Sequence, residues 1–179
     1  DVQLGPQLTQ ALDQFERAYD AFQARDRPLD AAEMLNNMGV IQRMEGNSEV
    51  AAMHLEQARA IFAAGFRRGE LIHNCFSYHF VPAGSMMQPG AHPLGCTVFP
   101  GGTGQTEQQV QAMAELRPAG YIGTPSFLKI ILDKAHEHGV ALPSVTKALV
   151  SGEAFPPSLR DWLAARGVTG YQCYATADL

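Results

Sequence analysis

Two short stretches near the end of the sequence combine residue types suited to binding a ligand. The first is Ser151-Gly152-Glu153-Ala154, and the second runs from Tyr174 to Asp178. Glycine lets a backbone approach a ligand closely, and a carboxylate suits a hard cation that bridges phosphates. Each stretch follows a β-branched or aromatic run. Both are therefore predicted to lie side by side at the carboxyl edge of a parallel sheet, where open α/β folds bind ligands.

The elements that must position these stretches begin near residue 66, where short β-rich runs start to alternate with helical stretches. The strands are predicted at 71–76, 97–99, 120–122, 147–150 and 171–174. The helices are predicted at 83–94, 106–116, 126–138 and 157–166. This alternation predicts an α/β fold, a mostly parallel sheet with covering helices.

Local signals predict where these helices begin and end. The predicted starts are a capping box at Thr106 and Gln109, a cap at Ser126 and a first position at Pro157, and the predicted ends are Gly139 and Gly167. The prolines at 89 and 93 would interrupt hydrogen bonding in the first helix, so we expect that helix to be kinked or split.

Residues 66–179 resemble the adenylate-forming acyl-CoA ligases, and the phenylacetate-CoA ligase family in particular. The resemblance rests on the order and spacing of four stretches, at 95–110, 123–126, 151–153 and 174–178. It implies part of the large, AMP-binding domain of such a ligase. In the implied reaction a small carboxylic acid attacks the α-phosphate of ATP, with Mg²⁺, to give an acyl-adenylate and pyrophosphate. The thiol of coenzyme A then displaces AMP.

The resemblance also implies roles for single residues. Thr176 would contact the α-phosphate and Asp178 would help to hold Mg²⁺, as the catalytic pair. The implied nucleotide-binding residues, around an adenine pocket, are Ser151, Gly152, Glu153, Ala154, Tyr171, Tyr174 and Ala175. The implied acid pocket contains Tyr78, His79, Phe80, Gly84 and Pro125. The last turn departs from the family pattern Tyr-Gly-x-Ser/Thr-Glu, because alanines stand at 175 and 177 and an aspartate at 178.

The residues alone leave other interpretations open. Glu153 could be solvated in an ordinary strand-to-helix turn, Asp178 could cap a helix, and residues 76–80 could form a strand with one apolar face. The glycine loop at 101–104 could bind an anion through its amides or form a tight turn. It is not a P-loop, because Gln105 stands where a lysine would be needed, and we favour the tight turn.

Residues 1–65 predict a separate all-α segment. Ala11, Phe15 and Ala18 recur as Ala51, Leu55 and Ala58, a small-large-small stripe that lets a neighbouring helix approach closely. The pattern is similar to a tetratricopeptide repeat, with one copy over 29–64 and the second helix of an earlier copy at 8–24. A generic antiparallel bundle is the alternative. The two predicted domains are therefore 1–65 and 66–179, joined without a linker by a natural fusion, an artificial splice or a deletion.

The helical segment leads to a rival functional hypothesis, a tetratricopeptide-type adaptor that binds a protein partner without catalysis. Two ligase features are also missing, a phosphate loop ending in lysine and a carboxy-terminal lid with its lysine. We therefore expect no turnover from residues 1–179 alone. An incomplete repeat and an open sheet edge would expose apolar surface, which makes a homo-oligomer possible.

Composition excludes several other classes of function. The net charge of −5 provides no basic footprint for nucleic acid or an anionic membrane. No apolar run reaches about 18 residues and no leader opens the chain, so we expect neither a membrane span nor a signal peptide. The three cysteines form no C-x-x-C pair, which favours reduced thiols in the cytoplasm over disulfides or a zinc site.

Overall fold

The structure of the protein is a computed structural model that describes residues 14, 17, 21, 48–79, 81 and 83–173. Several sequence predictions lie outside this part of the chain. They are most of the helix at 8–24, the first helix of the 29–64 repeat, Phe80, and the turn that holds Tyr174, Ala175, Thr176 and Asp178.

The described chain starts with helix α1, Ser48–Ala63, and then alternates strands with helices. The order is β1 (Leu71–Asn74), α2 (Ala83–Ala91), β2 (Thr97–Pro100), α3 (Thr106–Leu116), β3 (Gly120–Gly123), α4 (Pro125–Glu137), β4 (Lys147–Val150), α5 (Pro157–Ala164) and β5 (Thr169–Gln172). None of the described helices is both long and apolar enough to cross a membrane.

The five strands form one parallel sheet in the order β2-β1-β3-β4-β5. His73 of β1 lies opposite Phe99 of β2 on one side and Tyr121 of β3 on the other. The chain moves outward from β1 to β2 and then returns to the far side of β1 to form β3. Such a reversal opens a crevice beyond the carboxyl ends of the strands. The predicted α/β fold with a parallel sheet is confirmed.

Each face of the sheet carries its own apolar core, because successive strand residues point to opposite faces. Ile72, Ile122 and Leu149 pack with side chains of α1 and α2. Tyr121, Ala148 and Val150 pack on the other face with α3, α4 and α5. The sheet is therefore a middle layer, and the edge formed by its strand ends is left to connecting loops.

Helix α1 approaches α2 closely. A Cβ added to Gly90 of α2 would lie 2.6 Å from Cβ of Gln57 and 2.9 Å from the backbone nitrogen of Ala58. Ala58 is one of the small residues expected to admit a neighbouring helix. Its described neighbour is a helix of the α/β segment, and Ala58, Ile61 and Phe62 share a core with the strands. The tetratricopeptide repeat and the domain boundary at 65/66 stay predictions.

The connection between α1 and β1 closes the amino edge of the sheet with charged groups. The Lys147 ammonium, at the start of β4, donates to the Gly65 carbonyl at 2.8 Å and to the Glu70 carboxylate at 2.8 and 3.0 Å. Arg67 donates to the Phe62 and Phe66 carbonyls at 3.0 and 2.9 Å. These contacts join α1, β1 and β4 at the edge opposite the strand ends.

The predicted helix starts and ends are confirmed where a single glycine or proline fixes the backbone conformation. Gly139 and Gly167 take φ of 67° and 79° just after α4 and α5, and Pro157 is the first residue of α5. The other start signals were wrong. Helix α3 is preceded by Gln105 at φ 52° with no side-chain cap, and α4 has Thr124, not Ser126, at its N-cap.

Two predicted elements have different ends in the structure. Strand β1 ends at Asn74, so the interpretation of residues 76–80 as a strand was wrong for 76–79, and Phe80 lies outside the described residues. Helix α2 contains Pro89 as a single element and ends at Ala91, so the expected split does not occur.

Candidate functional site

The turn at 151–154 lies over the carboxyl ends of β3 and β4. Ser151 is buried, and its amide donates to the Gly123 carbonyl at 3.2 Å. Gly152 has φ of 82°, a left-handed conformation that strains any residue with a Cβ. An added Cβ would lie 3.6 Å from Cγ2 of Thr124 and 3.9 Å from the Phe76 ring. The turn therefore places exposed backbone beside the crevice between β1 and β3.

Glu153 joins this turn to its neighbours on both sides. One carboxylate oxygen accepts from the Ser126 amide at 3.4 Å, at the start of α4, where the helix dipole favours negative charge. The Glu153 carbonyl accepts from Nε2 of Gln172 at 3.3 Å. The side chain is exposed, as one interpretation predicted, but it is also held by a backbone donor.

The end of β5 runs beside the same turn. The Cys173 amide donates to the Val150 carbonyl at 3.0 Å, so Cys173 lies next to the start of the turn at 151–154. Burial raises the pKa of the Cys173 thiol, and a hydrogen bond with Ser151 opposes that shift. Tyr171 lies within β5, opposite Leu149, and is 41% exposed. Asp178, the Mg²⁺ ligand implied by the resemblance, is outside the described residues.

Asn74, the last residue of β1, is a buried polar residue that the sequence analysis missed. Its Nδ2 donates to the Tyr78 hydroxyl and to the Gly84 carbonyl, both at 2.9 Å. Its Oδ1 accepts from the Phe76 amide at 3.1 Å. One side chain thereby fixes the loop after β1 and the start of α2. The only available signal was an asparagine at the end of a buried apolar strand.

The predicted acid pocket is assembled only in part. The Tyr78 ring packs against Gly84 so closely that an added Cβ would lie 2.7 Å from it. Burial raises the pKa of Tyr78, while hydrogen bonds from Gln88 and Asn74 oppose the shift, so the phenol is neutral at pH 7. Pro125 is buried as the first residue of α4. His79 is exposed, with its backbone bonded to the Ser77 hydroxyl.

The glycine loop after β2 is held from inside the protein. Nε2 of Gln109 donates to the carbonyls of Gly101, Gly102 and Gly104 at 2.8, 3.2 and 3.2 Å. The amides of Gly101 and Gly102 donate to the carbonyls of Phe99 and Asn74. The amides at 101 and 102 are therefore not free to bind an anion, which favours the tight turn.

Buried His73 completes this loop support. Its Nε2 lies 2.6 Å from Oε1 of Gln109 and its ring stacks on Phe99 with centroids 5.1 Å apart. Because Gln109 uses its NH₂ group on carbonyls, its oxygen faces the histidine and Nε2 carries the proton. Burial lowers the pKa of His73, so the ring is neutral, and its Nδ1 has no partner among the described residues.

The remaining ionisable groups provide no second centre in the described part of the chain. No three histidine, cysteine or acidic residues there are arranged to hold a metal ion. Burial raises the pKa of Cys75 to about 12 and that of Cys96 to about 11. Both thiols are thus protonated and unreactive at neutral pH.

Comparison with curated proteins finds relatives named phenylacetate-coenzyme A ligase. The Aromatoleum evansii protein is 30% identical over 125 residues, which are 68% of this chain and 28% of that protein. The Pseudomonas putida protein is 39% identical over 83 residues, 46% of this chain and 19% of that protein. The chain thus spans less than a third of the length of these relatives. No family model matches it.

Solved structures share the fold. An open conformation of 2-hydroxyisobutyryl-CoA ligase in complex with 2-HIB-AMP and CoA has a TM-score of 0.67 at 25% identity, over 74% of this chain and 31% of that one. A long-chain-fatty-acid-CoA ligase from Archaeoglobus fulgidus has a TM-score of 0.55 at 12% identity, over 72% and 28% of the two chains. Sequence relatives and fold together support the AMP-forming acyl- and aryl-CoA ligases as the family to which this part of the chain is related.

Proposed function

We propose that this chain carries part of the nucleotide- and acid-binding site of an ATP-dependent aryl- or acyl-CoA ligase. The observation that carries the proposal is the gathering of the predicted stretches at one edge of a parallel sheet. The turn at 151–154, the entry to 174–178, the start of α4 and the loop after β1 all follow carboxyl ends of neighbouring strands. Ligand sites in open α/β sheets lie at this edge.

The turn at 151–154 would line the adenine of ATP. Gly152 leaves room for a flat ring against exposed backbone, and both flanks of the turn are fixed, by Ser126 on α4 and by Gln172 on β5. A turn that is already fixed before binding loses little conformational entropy when the nucleotide arrives. Nucleotide contacts by Tyr171, Tyr174 and Ala175 belong to the same proposal.

The acid would bind on the β1 side of the crevice. Tyr78, Gly84 and Pro125 would bound its pocket, with His79 and Phe80 as the remaining predicted members. A phenylacetate-like acid is the substrate class that the names of the relatives suggest. Fixed positions for both reactants would convert the encounter of carboxylate and α-phosphate into a reaction between aligned groups.

The first chemical step would depend on position and charge rather than on a covalent nucleophile. Thr176 would donate to the α-phosphate and Asp178 would bind Mg²⁺, whose charge offsets that of the phosphates when it is bound. ATP and coenzyme A would be co-substrates. The adaptor hypothesis depends largely on residues 1–47, of which only 14, 17 and 21 are described, so it stays a prediction.

The experiment that tests the proposal compares two glycines of similar backbone conformation. Gly152 and Gly139 have φ of 82° and 67°, so alanine strains both backbones by about 1 kcal/mol. Only Gly152→Ala should weaken binding of a phenylacetyl-sulfamoyl-adenosine mimic of the acyl-adenylate, by at least about fivefold in calorimetry. Equal binding by the two variants would contradict the adenine assignment. Failure of the unmodified chain to bind the mimic would overturn the proposed function.

A further inference from the structure

The Asn74 side chain can be oriented without ambiguity from its backbone partners. The Phe76 amide can only donate, so the atom facing it is the oxygen Oδ1. The Gly84 carbonyl can only accept, so the atom facing it is the nitrogen Nδ2. The same nitrogen lies 2.9 Å from the Tyr78 hydroxyl, which must therefore be the acceptor of that hydrogen bond.

Gln88 of α2 approaches the same hydroxyl. Its Nε2 lies 3.3 Å from the Tyr78 oxygen and donates a second hydrogen bond. A phenol oxygen that accepts from two amides has used its accepting capacity, so its own proton must point away from both of them. No described residue accepts that proton. Among the described residues, the half-buried Tyr78 is thus a donor, held in place by two amides, whose own proton has no acceptor.

We propose that Asn74 and Gln88 are positioning residues that orient the Tyr78 hydroxyl to donate to an oxygen of the acid's carboxyl group. This inference rests on the proposed function. Tyr78 follows β1 and lies near Gly102 in the loop after β2, because an added Cβ there would be 4.0 Å from the tyrosine ring. The turn proposed for adenine follows β4. The two positions are two strand spacings apart, about 10 Å, so Tyr78 suits the acyl end of the adenylate better than its base.

The Tyr78 hydroxyl, as a hydrogen-bond donor, determines which ligand group can bind beside it. A neutral phenol held by two amides donates well to a carboxylate, or to the acyl oxygen once the adenylate forms. A phosphate oxygen of the nucleotide is the other oxygen acceptor in reach of such a site. The two sources are separated by comparing AMP, which has only the phosphate, with phenylacetyl-sulfamoyl adenosine, which has the acyl oxygen.

The first experiment reverses the direction of one hydrogen bond. Gln88→Glu replaces the donating amide with an acceptor of the same size, which should capture the Tyr78 proton. Gln88→Met removes the donor without offering an acceptor. The pKa of Tyr78 in the free chain can be measured by NMR titration of ¹³Cζ-labelled tyrosine. We expect Gln88→Glu to raise this pKa more than Gln88→Met does. Equal titrations for the two variants would overturn the inference before any ligand is added.

The second experiment measures binding by calorimetry. Tyr78→Phe and Gln88→Glu should each weaken binding of the acyl-bearing mimic by about 10-fold, because a hydrogen bond to a charged or polarised oxygen is lost. AMP should bind all variants alike. Gln88→Met, which removes one of the two donors without offering an acceptor, should weaken binding of the mimic less than Gln88→Glu does. Parallel losses of affinity for AMP and for the mimic would show that Tyr78 donates to phosphate and would overturn the inference.

The same measurements separate this inference from the proposed function. If the unmodified chain binds neither probe, the proposed function fails. If it binds both and Tyr78→Phe changes neither affinity, only this inference fails.

Discussion

The two edges of the same sheet are held together by different chemistry. At the amino edge, Lys147 and Glu70 form a partly buried ion pair, with side chains 17% and 27% exposed. At the carboxyl edge, the neutral amides of Asn74, Gln109 and Gln172 support the loops, and the Glu153 carboxylate accepts from the backbone amide of Ser126. A lysine–glutamate ion pair therefore closes one edge, whereas amides and one carboxylate held by a backbone donor shape the loops at the other.

The largest effect is expected from removing the cation at the amino edge. Lys147→Met removes the donor to the Gly65 carbonyl and the cation paired with the Glu70 carboxylate, which keeps the Arg67 amide as a donor. We therefore expect the free energy of unfolding to fall by about 3 kcal/mol. Urea unfolding measures the change. Adding Glu70→Gln should cost less than the sum of the two single changes. Additive losses, or weaker binding of the adenylate mimic, would contradict the separation of the two edges.

A smaller loss is expected from the amide that holds the glycine loop. Gln109→Leu leaves three loop carbonyls and the N–H group of His73 without a partner, which should cost about 2 kcal/mol. Hydrogen exchange at residues 101–104 should accelerate more than at residues 65–70. Gln111→Leu on the exposed face of α3 is the control, because the Gln111 side chain bonds Glu115, four residues away on the same helix, and does not bond the described glycine loop. Equal acceleration at both edges would show that the loop is not held locally.

The smallest effect is a pH dependence from His73. Its pKa in the folded chain is below the ordinary value of 6.5, so below about pH 6.5 the unfolded chain binds more protons. Stability should fall as the pH drops from 6.5 towards the folded pKa, by at most about 1.4 kcal/mol per pH unit, and stay level above that window. Urea unfolding at pH 7 and 5.5 measures the slope. His73→Gln should reduce the dependence of the unfolding free energy on pH. An unchanged slope would show that other histidines cause the pH dependence.

The sequence predicted the fold better than it predicted the contacts of single side chains. Strand β4 and helix α3 have the predicted bounds, because hydrophobic periodicity and flanking glycines act within a few residues. The capping box failed because Gln109 bonds His73, 36 residues away, rather than its own helix start. The role of Asn74 depends on the path of a loop to Gly84, ten residues on, which no local pattern specifies.

The hydrogen bond between Gln172 and the Glu153 carbonyl has a mechanical consequence. Any force on the chain beyond Cys173 pulls on strand β5 and is passed through this bond to the backbone of the neighbouring loop. A shift of β5 by one residue would break this bond and leave the loop held by the contact of the Glu153 carboxylate with helix α4. A displacement of β5 would thus loosen one flank of the loop that we propose lines the adenine.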